Sequence, residues 1–350
     1  MRFPGLNSGL EPQERLEDFS RVRLHLNENP FSFPEEVSRK ILAELDFTSV
    51  APYYHSVSAR LEQALSDYTG CPGSCIDIGN GGDDLIYTLL GVCSGPGRDR
   101  VVTLDPSYYY YSVAIQAHSL EHVTVELDRE LEFSTSAFLR QANHDSTCLI
   151  FLCNSNNPTG HLLDQEQVVE IINGVKDDRI LVVDEAYWDF SSVSFAKMAM
   201  EKRNVIVLRT LSKMFSFAGM HLGYIIAHPE TIREYAAVKN PYGVNYSTQI
   251  AAAVTLENRQ YFLERRDELI KLRQYLSSGL IKIGFTVMPS FTNFLLVSPG
   301  SREARDFLVS RLDEEGISVR PLGNIFDDCV RISIGTQEKM KKVLDIAAGF

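Results

Sequence analysis

The segment Asn204-Val-Ile-Val-Leu208, followed by Arg209-Thr-Leu-Ser-Lys213, decides the fold class. Its first half is apolar throughout and does not alternate, which predicts a strand buried on both faces of a sheet that helices cover. Lys213 follows on the loop after this strand. Ligands bind at the carboxyl ends of such parallel strands, so this loop is where a ligand-binding group belongs. For this segment taken alone, a solvent-exposed loop lysine is the alternative.

Further short apolar runs between residues 75 and 227 have the same character. They are Cys75–Ile78, Arg100–Leu104, Cys148–Leu152, Ile180–Val183 and Gly223–Ala227. Helix-like stretches separate several of them, for example 83–92 and 164–175. This alternation predicts an α/β large domain with a mainly parallel sheet.

The pattern changes after residue 243. A long stretch rich in Glu, Arg and Leu, 260–280, predicts a helix, and the short strand and helix units that follow it predict a smaller α+β domain. Residues 27–34 contain turn and extended signals, because each proline there disfavours helix at the residue before it. We therefore assign 1–50 to an N-terminal arm with part of the small domain. Residues 51–243 form the large domain, and 244–350 form a linking helix and the small C-terminal domain.

Composition limits the class of partner. Of the 350 residues, 46 are acidic and 34 are Lys or Arg, and this net charge of -12 repels nucleic acid and anionic membranes. Residues 1–19 contain no apolar core of a secretory signal, and no apolar run approaches the ~18 residues that span a bilayer. Several cysteines lie inside apolar runs, as buried reduced thiols do. Cys71 and Cys75 are not spaced as a zinc or redox pair, so we expect a cytoplasmic protein without a metal site.

Polar side chains follow two other strands of the predicted sheet. Asp184 ends the run 180–183, and Tyr187 lies three residues further on. A carboxylate at that position is costly to bury unless it meets a cation, and a protonated pyridine nitrogen would be one. Asn157, in an Asn-Pro turn after the strand 148–152, could direct its amide into the same crevice. The alternatives are a helix cap for Asp184 and a plain turn for Asn157.

A glycine-rich loop, Gly79-Asn-Gly-Gly-Asp-Asp84, leads from the strand 75–78 into a predicted helix. Backbone N–H groups at such a loop and helix start can hold a phosphate without a cation. Tyr108, after the strand 100–104, would present an aromatic face suited to a flat heterocycle. The hydroxyls of Thr210 and Ser212 add neutral donors for a phosphate.

Taken together and in this order, these segments resemble the fold-type I enzymes that depend on pyridoxal phosphate. Within them, the sequence is most similar to the class I and II aminotransferases near histidinol-phosphate aminotransferase. The segments that carry the resemblance are Leu26–Pro30, Gly81–Asp84, Pro106–Tyr108, Asn156–Gly160, Asp184–Tyr187, Arg209–Lys213, Ala218–Gly219 and Val330–Gly335. The resemblance implies an aspartate aminotransferase-like fold, with a mainly parallel sheet of seven strands in the large domain.

The resemblance also implies pyridoxal 5'-phosphate as cofactor and assigns roles around its ring. Lys213 would form a Schiff base with it and then move the proton between the substrate Cα and the cofactor C4′. Asp184 would keep the pyridine nitrogen protonated. Tyr187 and Asn157 would bond to the phenolic oxygen, and Tyr108 would stack on the ring.

The cofactor phosphate would be held by backbone amides and hydroxyls, those of Gly82, Asp83, Thr210 and Ser212. Tyr53 resembles the tyrosine that a partner subunit donates to this phosphate, with Tyr54 as the alternative, and a homodimer follows from the family. His221 stands where the family has an arginine on the phosphate, in Ala218-Gly-Met-His221. Because histidine is shorter and only partly charged at neutral pH, we expect weaker and more pH-dependent cofactor binding.

Two arginines match substrate-binding positions of the family. Arg331 would bind the α-carboxylate of a substrate, or the phosphate of a histidinol-phosphate-like donor, as a bidentate fork. Arg320 would be a second anion-binding group, with an ordinary surface arginine as the alternative, and Asn27 would lie near the substrate. The partners expected are a small anionic amino donor and a 2-oxo acid.

Three other functions remain open. Because His221 replaces the arginine of the family, one of them is a specialised biosynthetic enzyme that depends on pyridoxal phosphate. A decarboxylase of the threonine-phosphate type shares the motif set, but a second arginine usually stands two residues from Arg331 in that group, and here those positions are Cys329 and Ser333. A non-catalytic cofactor-binding domain is disfavoured because Lys213 and Asp184 are both present.

Overall fold

The structure is a computed structural model that describes residues 20–46 and 58–349. The strands in these ranges are β1 (Val22–Arg23), β2 (Ile76–Gly79), β3 (Arg100–Asp105), β4 (Glu121–Glu126), β5 (Thr147–Cys153), β6 (Ile180–Asp184), β7 (Val205–Thr210), β8 (Gly223–Ile226), β9 (Thr286–Val287), β10 (Phe294–Ser298), β11 (Ile317–Ser318), β12 (Arg320–Pro321) and β13 (Val330–Ser333). The α-helices are α1 (Glu35–Glu44), α2 (Ala59–Thr69), α3 (Gly82–Cys93), α4 (Tyr109–Ala117), α5 (Thr135–Ala142), α6 (Gln165–Gly174), α7 (Trp188–Ser191), α8 (Ala196–Glu201), α9 (Pro229–Val238), α10 (Tyr246–Glu257), α11 (Arg259–Lys282), α12 (Arg302–Glu314) and α13 (Gln337–Ala348).

Within the described residues, seven strands form one sheet in the order β2-β8-β7-β6-β5-β3-β4. All of them are parallel except β8, which runs antiparallel to both of its neighbours. The six parallel strands therefore all end at the same edge of the sheet. Because β8 runs the other way, its beginning reaches that same edge, with Gly223 opposite Gly79 and Thr210.

Helices cover both faces of this sheet. Strand β5 is buried along its whole length, and its side chains alternate between two apolar clusters. Leu149 and Phe151 pack with α3, α4 and α9 on one face, whereas Ile150 and Leu152 pack into the larger cluster on the other face. This two-sided burial is why the central strands are apolar at every position.

The C-terminal part contains a second, antiparallel sheet in the order β12-β13-β10-β9. Helix α11 lies against β9, β10 and α13, and α12 packs on α13 and β11. The first described strand, β1, pairs in parallel with β11, so the arm joins the C-terminal part. Farther along the arm, the side-chain amide of Asn29 donates to the Met214 carbonyl at 2.7 Å, beside the large sheet.

The predicted fold, a mainly parallel seven-stranded sheet with a smaller C-terminal domain, is confirmed. Strand β4 was not predicted. It lies at the sheet edge, and its sequence, Glu121-His-Val-Thr-Val-Glu126, alternates polar and apolar residues because only part of it is covered. The domain boundaries at residues 50 and 243 stay predictions. None of the described helices has the length and apolarity to cross a membrane.

Candidate active site

A cavity of about 330 Å³ lies at the edge of the large sheet where the parallel strands end. Its size is in the range of small-molecule sites. The segments that line it come from the arm, from the ends of β5, β6 and β7, from the start of α3 and from the loop before β8. The predicted site residues that line it are Gly82, Asp83, Tyr108, Asn157, Asp184, Tyr187, Thr210, Ser212, Lys213 and His221.

Lys213 lies on the loop after β7 and is partly buried in the cavity wall. Its ammonium has no hydrogen-bond or ion-pair partner in 20–46 or 58–349, and it lies 5.9 Å from the centre of the Tyr187 ring. Burial, followed by the positive charge of Arg331, lowers the pKa of Lys213. The uncharged amine, which is the nucleophilic form, is therefore favoured relative to a lysine in water.

Asp184 is the last residue of β6 and is 3% exposed. Its carboxylate accepts hydrogen bonds from the Tyr111 hydroxyl at 2.6 Å and from the Ala186 amide at 3.0 Å. Burial raises the pKa of Asp184 to about 6, because no cation of the described residues pairs with it. A buried carboxylate in a cavity wall without a counter-charge is a site for a cationic group of a ligand.

The start of α3 forms one end of the cavity. Gly81, at φ +90°, turns the chain into the helix, so the first amides of α3 are free of helical partners. Gly223 of β8 packs so closely on this turn that a Cβ there would lie 2.7 Å from the Gly81 carbonyl carbon. Next to the turn, Thr210 Oγ1 contacts the Ser212 hydroxyl at 2.9 Å. Amides and hydroxyls thus converge as they do in phosphate sites.

His221 also reaches this end of the cavity, from the loop before β8. Its ring Nδ1 would lie 3.5 Å from a Cβ built on Gly81, so the imidazole packs against the turn. The residue has φ +52°, a left-handed conformation that non-glycine residues adopt infrequently. The antiparallel direction of β8 is what brings this side chain to the carboxyl edge of the parallel strands.

Tyr108 precedes α4, and its hydroxyl donates to Asp83 Oδ1 at 3.0 Å across the cavity mouth. Burial raises the pKa of the Asp83 carboxyl. The Tyr108 ring meets the Tyr111 ring edge to face at 5.6 Å, and the Tyr111 ring stacks on Phe151 at 4.6 Å. These contacts fix the orientation of the Tyr108 ring above the sheet edge.

Tyr187 is buried, and its hydroxyl accepts a hydrogen bond from Asn27 Nδ2 at 2.9 Å. Asn27 is held by the C-terminal sheet, because the Ser333 hydroxyl donates to Asn27 Oδ1 at 3.0 Å and Asn293 Nδ2 donates to the Asn27 carbonyl at 2.9 Å. Burial raises the pKa of the Tyr187 phenol, so the hydroxyl stays protonated and able to donate to a ligand.

Arg331 lies on β13 and links three parts of the chain. Its guanidinium donates to Asn157 Oδ1 at 2.6 Å and to the His25 carbonyl at 2.5 Å. The Arg331 Nε is buried and has no partner within the described residues. Because Asn157 accepts through its oxygen, its NH₂ group is left to face the cavity.

Arg320 does not line the cavity that contains Lys213. It pairs with Arg331 in the β12–β13 register but is exposed, and it lines a second cavity of about 320 Å³ together with Arg21, Arg23 and His25. Arg21 and Arg23 are ion-paired with Asp313 and Glu28. Arg331 lines neither cavity but connects their walls, because it donates to His25 of the second cavity and to Asn157 of the first.

Some residues of this region were not singled out from the sequence. Tyr111, Asn293, Ser333 and His25 contact predicted site residues, and Glu28 lines the cavity. For Tyr111 a signal existed, because it is one helical turn after Tyr108 and so faces the same side. Tyr53 and Tyr54 lie outside the described residues.

The residues of the cavity fit pyridoxal phosphate. A protonated pyridine nitrogen would supply the counter-charge that Asp184 lacks. A phosphate would fit the start of α3 and the Ser212 hydroxyl. Lys213 supplies an amine for the aldehyde carbon. The donors left at Tyr187 and Asn157 suit a phenolic oxygen.

Comparison with known proteins gives concordant results. A sequence model of the family "Aminotransferase class I and II" matches residues 21–346. The chain is 32% identical over 323 residues to histidinol-phosphate aminotransferase 1 of Carboxydothermus hydrogenoformans, covering 92% of this chain and 91% of that protein. It is 34% identical to the histidinol-phosphate aminotransferase of Thermoanaerobacter sp. strain X514, with 91% and 90% covered.

A solved structure gives the same picture. The crystal structure of histidinol-phosphate aminotransferase from Sinorhizobium meliloti, in complex with pyridoxal-5'-phosphate, superposes with a TM-score of 0.85 at 26% identity. The match covers 94% of this chain and 90% of that one.

Proposed function

The chain belongs to the class I and II aminotransferases and depends on pyridoxal phosphate, and on that premise we propose that it moves an amino group from a small amino-phosphate donor to a 2-oxo acid. The observation that carries the proposal is one cavity in which Lys213 faces a buried, uncompensated Asp184, with Arg331 bonded to the wall at Asn157. The donor would be histidinol phosphate or an amine of similar charge, as in the names of the relatives.

Pyridoxal phosphate, when bound, supplies an electron sink for the electron pair that is released at the donor Cα. Asp184 would hold a proton at the pyridine nitrogen and so keep the sink effective. Tyr187 and Asn157 would donate to the phenolic oxygen, and Tyr108 would cover one face of the ring. The Tyr111 hydroxyl would keep the Asp184 carboxylate in its orientation.

Lys213 would carry the proton between the donor Cα and the cofactor C4′. Its lowered pKa favours the uncharged amine, which is the form that can act as a base. The phosphate would be held by the Gly82 and Asp83 amides, the Thr210 and Ser212 hydroxyls and the His221 imidazole. Each of these groups is a donor at the same end of the cavity.

Arg331 would bind the anionic group of the donor and of the 2-oxo acid. Its buried Nε, which has no partner within the described residues, is the group that a carboxylate or phosphate would satisfy. Arg320, one strand away, would add a second positive charge when the donor carries a phosphate. Asn27 would act near the substrate through its hydrogen bond to Tyr187.

We also propose a homodimer in which Tyr53, or Tyr54 as the alternative, reaches the phosphate of the partner subunit. The family resemblance supports this assembly. A cytoplasmic location is proposed on the cysteines, since all six are free thiols and five of them are buried.

The test is a half-reaction. The protein is loaded with pyridoxal phosphate and mixed with single amino donors, including histidinol phosphate and amino acids, while the visible absorbance of the bound cofactor is followed. Conversion to pyridoxamine phosphate, fastest with the phosphorylated donor, supports the proposal. Release of carbon dioxide would indicate decarboxylation, and no change with any donor would indicate a binding domain. Lys213→Ala should abolish conversion, whereas Lys271→Ala, on the exposed side of α11, should not.

A further inference from the structure

A buried ion pair lies directly behind the cavity, on the opposite face of the sheet. Glu185 follows Asp184, and Arg209 precedes Thr210. Arg209 lies in β7 between Leu208 and Thr210, which both line the cavity, and successive side chains of a strand point to opposite faces. Arg209 and the Glu185 that it binds therefore face away from the cavity. The Glu185 and Arg209 side chains are 0% and 3% exposed. The Glu185 amide also donates to the Leu208 carbonyl at 2.8 Å, which ties the two strand ends together.

The contacts of the pair fix both side chains. The Arg209 Nε and one terminal nitrogen donate to Glu185 Oε2 at 2.9 and 2.7 Å, and that terminal nitrogen also donates to the Ser194 hydroxyl at 2.6 Å. Glu185 Oε1 accepts from the Phe195 amide at 2.6 Å. The guanidinium lies over the Trp188 ring, 3.7 Å from its centroid. The ends of β6 and β7 are therefore held together by one rigid set of contacts around this ion pair.

A row of aromatic rings connects this ion pair to the segment that follows Lys213 in the chain. The Trp188 ring packs edge to face on Tyr68 at 5.5 Å, and Tyr68 packs in the same way on Phe215 at 5.2 Å. Phe215 is fully buried and follows Lys213 by two residues. The loop that carries Lys213 is therefore anchored before it through Arg209 and after it through Phe215.

An ion pair at this depth is not needed for the sheet itself, because β6 and β7 are already paired along their lengths. Replacing a buried pair with apolar residues of similar volume is frequently neutral or stabilising. We propose that Glu185 and Arg209 are positioning residues that fix the separation between the Asp184 carboxylate and the Lys213 amine. The inference rests on the proposed function of the cavity.

The experiment compares three variants of the cofactor-loaded protein with the wild type. Arg209→Lys keeps the charge but loses the planar fork. The double variant Arg209→Met, Glu185→Leu keeps the volume without the charges. Arg179→Lys is the matched control, because Arg179 is equally buried but lies just before β6, at the opposite edge of the sheet. The readouts are melting temperature, the pH midpoint of the bound-cofactor absorbance, and kcat and KM for one donor.

We expect kcat of Arg209→Lys to fall roughly 10- to 100-fold with a small change in KM, since a displacement near 1 Å has that effect on positioned groups. Its absorbance midpoint should shift, whereas Arg179→Lys should lose melting temperature only. The double variant should melt at or above the wild-type temperature and still show the shifted midpoint and low kcat. A double variant with wild-type midpoint and kcat would overturn the inference. If the wild type itself converts no donor, the proposed function fails, while the absorbance midpoints still test the positioning role.

Discussion

The buried carboxylate of Asp184 should destabilise the cofactor-free protein. Burial raises the pKa of Asp184 from 3.8 to about 6, and a shift of about two units corresponds to about 3 kcal/mol. Because the folded form holds the proton more tightly than the unfolded form, the free energy of unfolding falls as the pH rises from about 4 to about 6 and stays lower above that range. Asp184→Asn removes the charge, so it should stabilise the cofactor-free protein at pH 7.

The loss of one hydrogen bond reduces the stabilisation expected for Asp184→Asn. The carboxylate accepts from both Tyr111 and Ala186, and the single oxygen of an asparagine cannot occupy both positions. A lost hydrogen bond costs about 1 kcal/mol, which leaves a net stabilisation of roughly 2 kcal/mol at pH 7. With pyridoxal phosphate bound, Asp184→Asn should instead be less stable than the wild type, because the variant lacks the anion that pairs with the pyridine nitrogen. Thermal unfolding with and without cofactor, between pH 4 and pH 8, measures both effects.

Asp189 provides the matched control. It is buried, burial raises its pKa to about 6, and it accepts a hydrogen bond from the Tyr68 hydroxyl, but it does not line the cavity. Asp189→Asn should therefore change the melting temperature by the same amount with and without cofactor. The reasoning is refuted if cofactor-free Asp184→Asn melts below the wild type at pH 7. It is also refuted if the difference in melting temperature between cofactor-free Asp184→Asn and the cofactor-free wild type does not shrink as the pH falls from 6 to 4.

Three further changes have defined outcomes. His221→Arg adds a permanent charge beside the phosphate end of the cavity. In absorbance titrations it should tighten cofactor binding about tenfold and make the binding depend less on pH. Titration curves like those of the wild type would contradict this expectation. Arg331→Gln removes charge-assisted hydrogen bonds of about 1.5–3 kcal/mol each. It should raise KM for the donor and the 2-oxo acid roughly 10- to 100-fold, with much less effect on cofactor affinity. Equal losses of substrate and cofactor affinity would show that Arg331 serves the cofactor instead. Tyr111→Phe leaves one oxygen of Asp184 without its donor and should weaken cofactor binding at pH 7 about tenfold, whereas Tyr110→Phe should not; matching affinities would indicate that the hydroxyl has no role.

Local patterns were sufficient to predict much of the fold and the location of the cavity. Continuous apolar runs identified six strands of the large sheet, since strands covered on both faces need apolar residues at every position. The rule that ligands meet the carboxyl ends of parallel strands brought Lys213, Asp184 and the start of α3 together, and the structure has all three in one cavity. The direction of β8 was not predicted, because hydrophobicity does not encode it.

Contacts between distant parts of the chain could not be predicted in this way. Asn27 and Ser333 are 306 residues apart, and neither has a local signal for the other. The exposure of Arg320 depends on the position of β12 at the edge of the second sheet, which its neighbours in sequence do not determine. The resemblance to the family therefore identified an arginine pair, but it did not place the second arginine relative to the cavity.

The link between Asn27 and Ser333 has a consequence for how the protein matures on the ribosome. At about 5–20 residues per second, roughly 15–60 seconds separate the synthesis of these two residues. During that interval the central strands can assemble, but the arm has no β11 to pair with and Asn27 has no Ser333. The cavity therefore acquires its final wall only after almost the whole chain has been made.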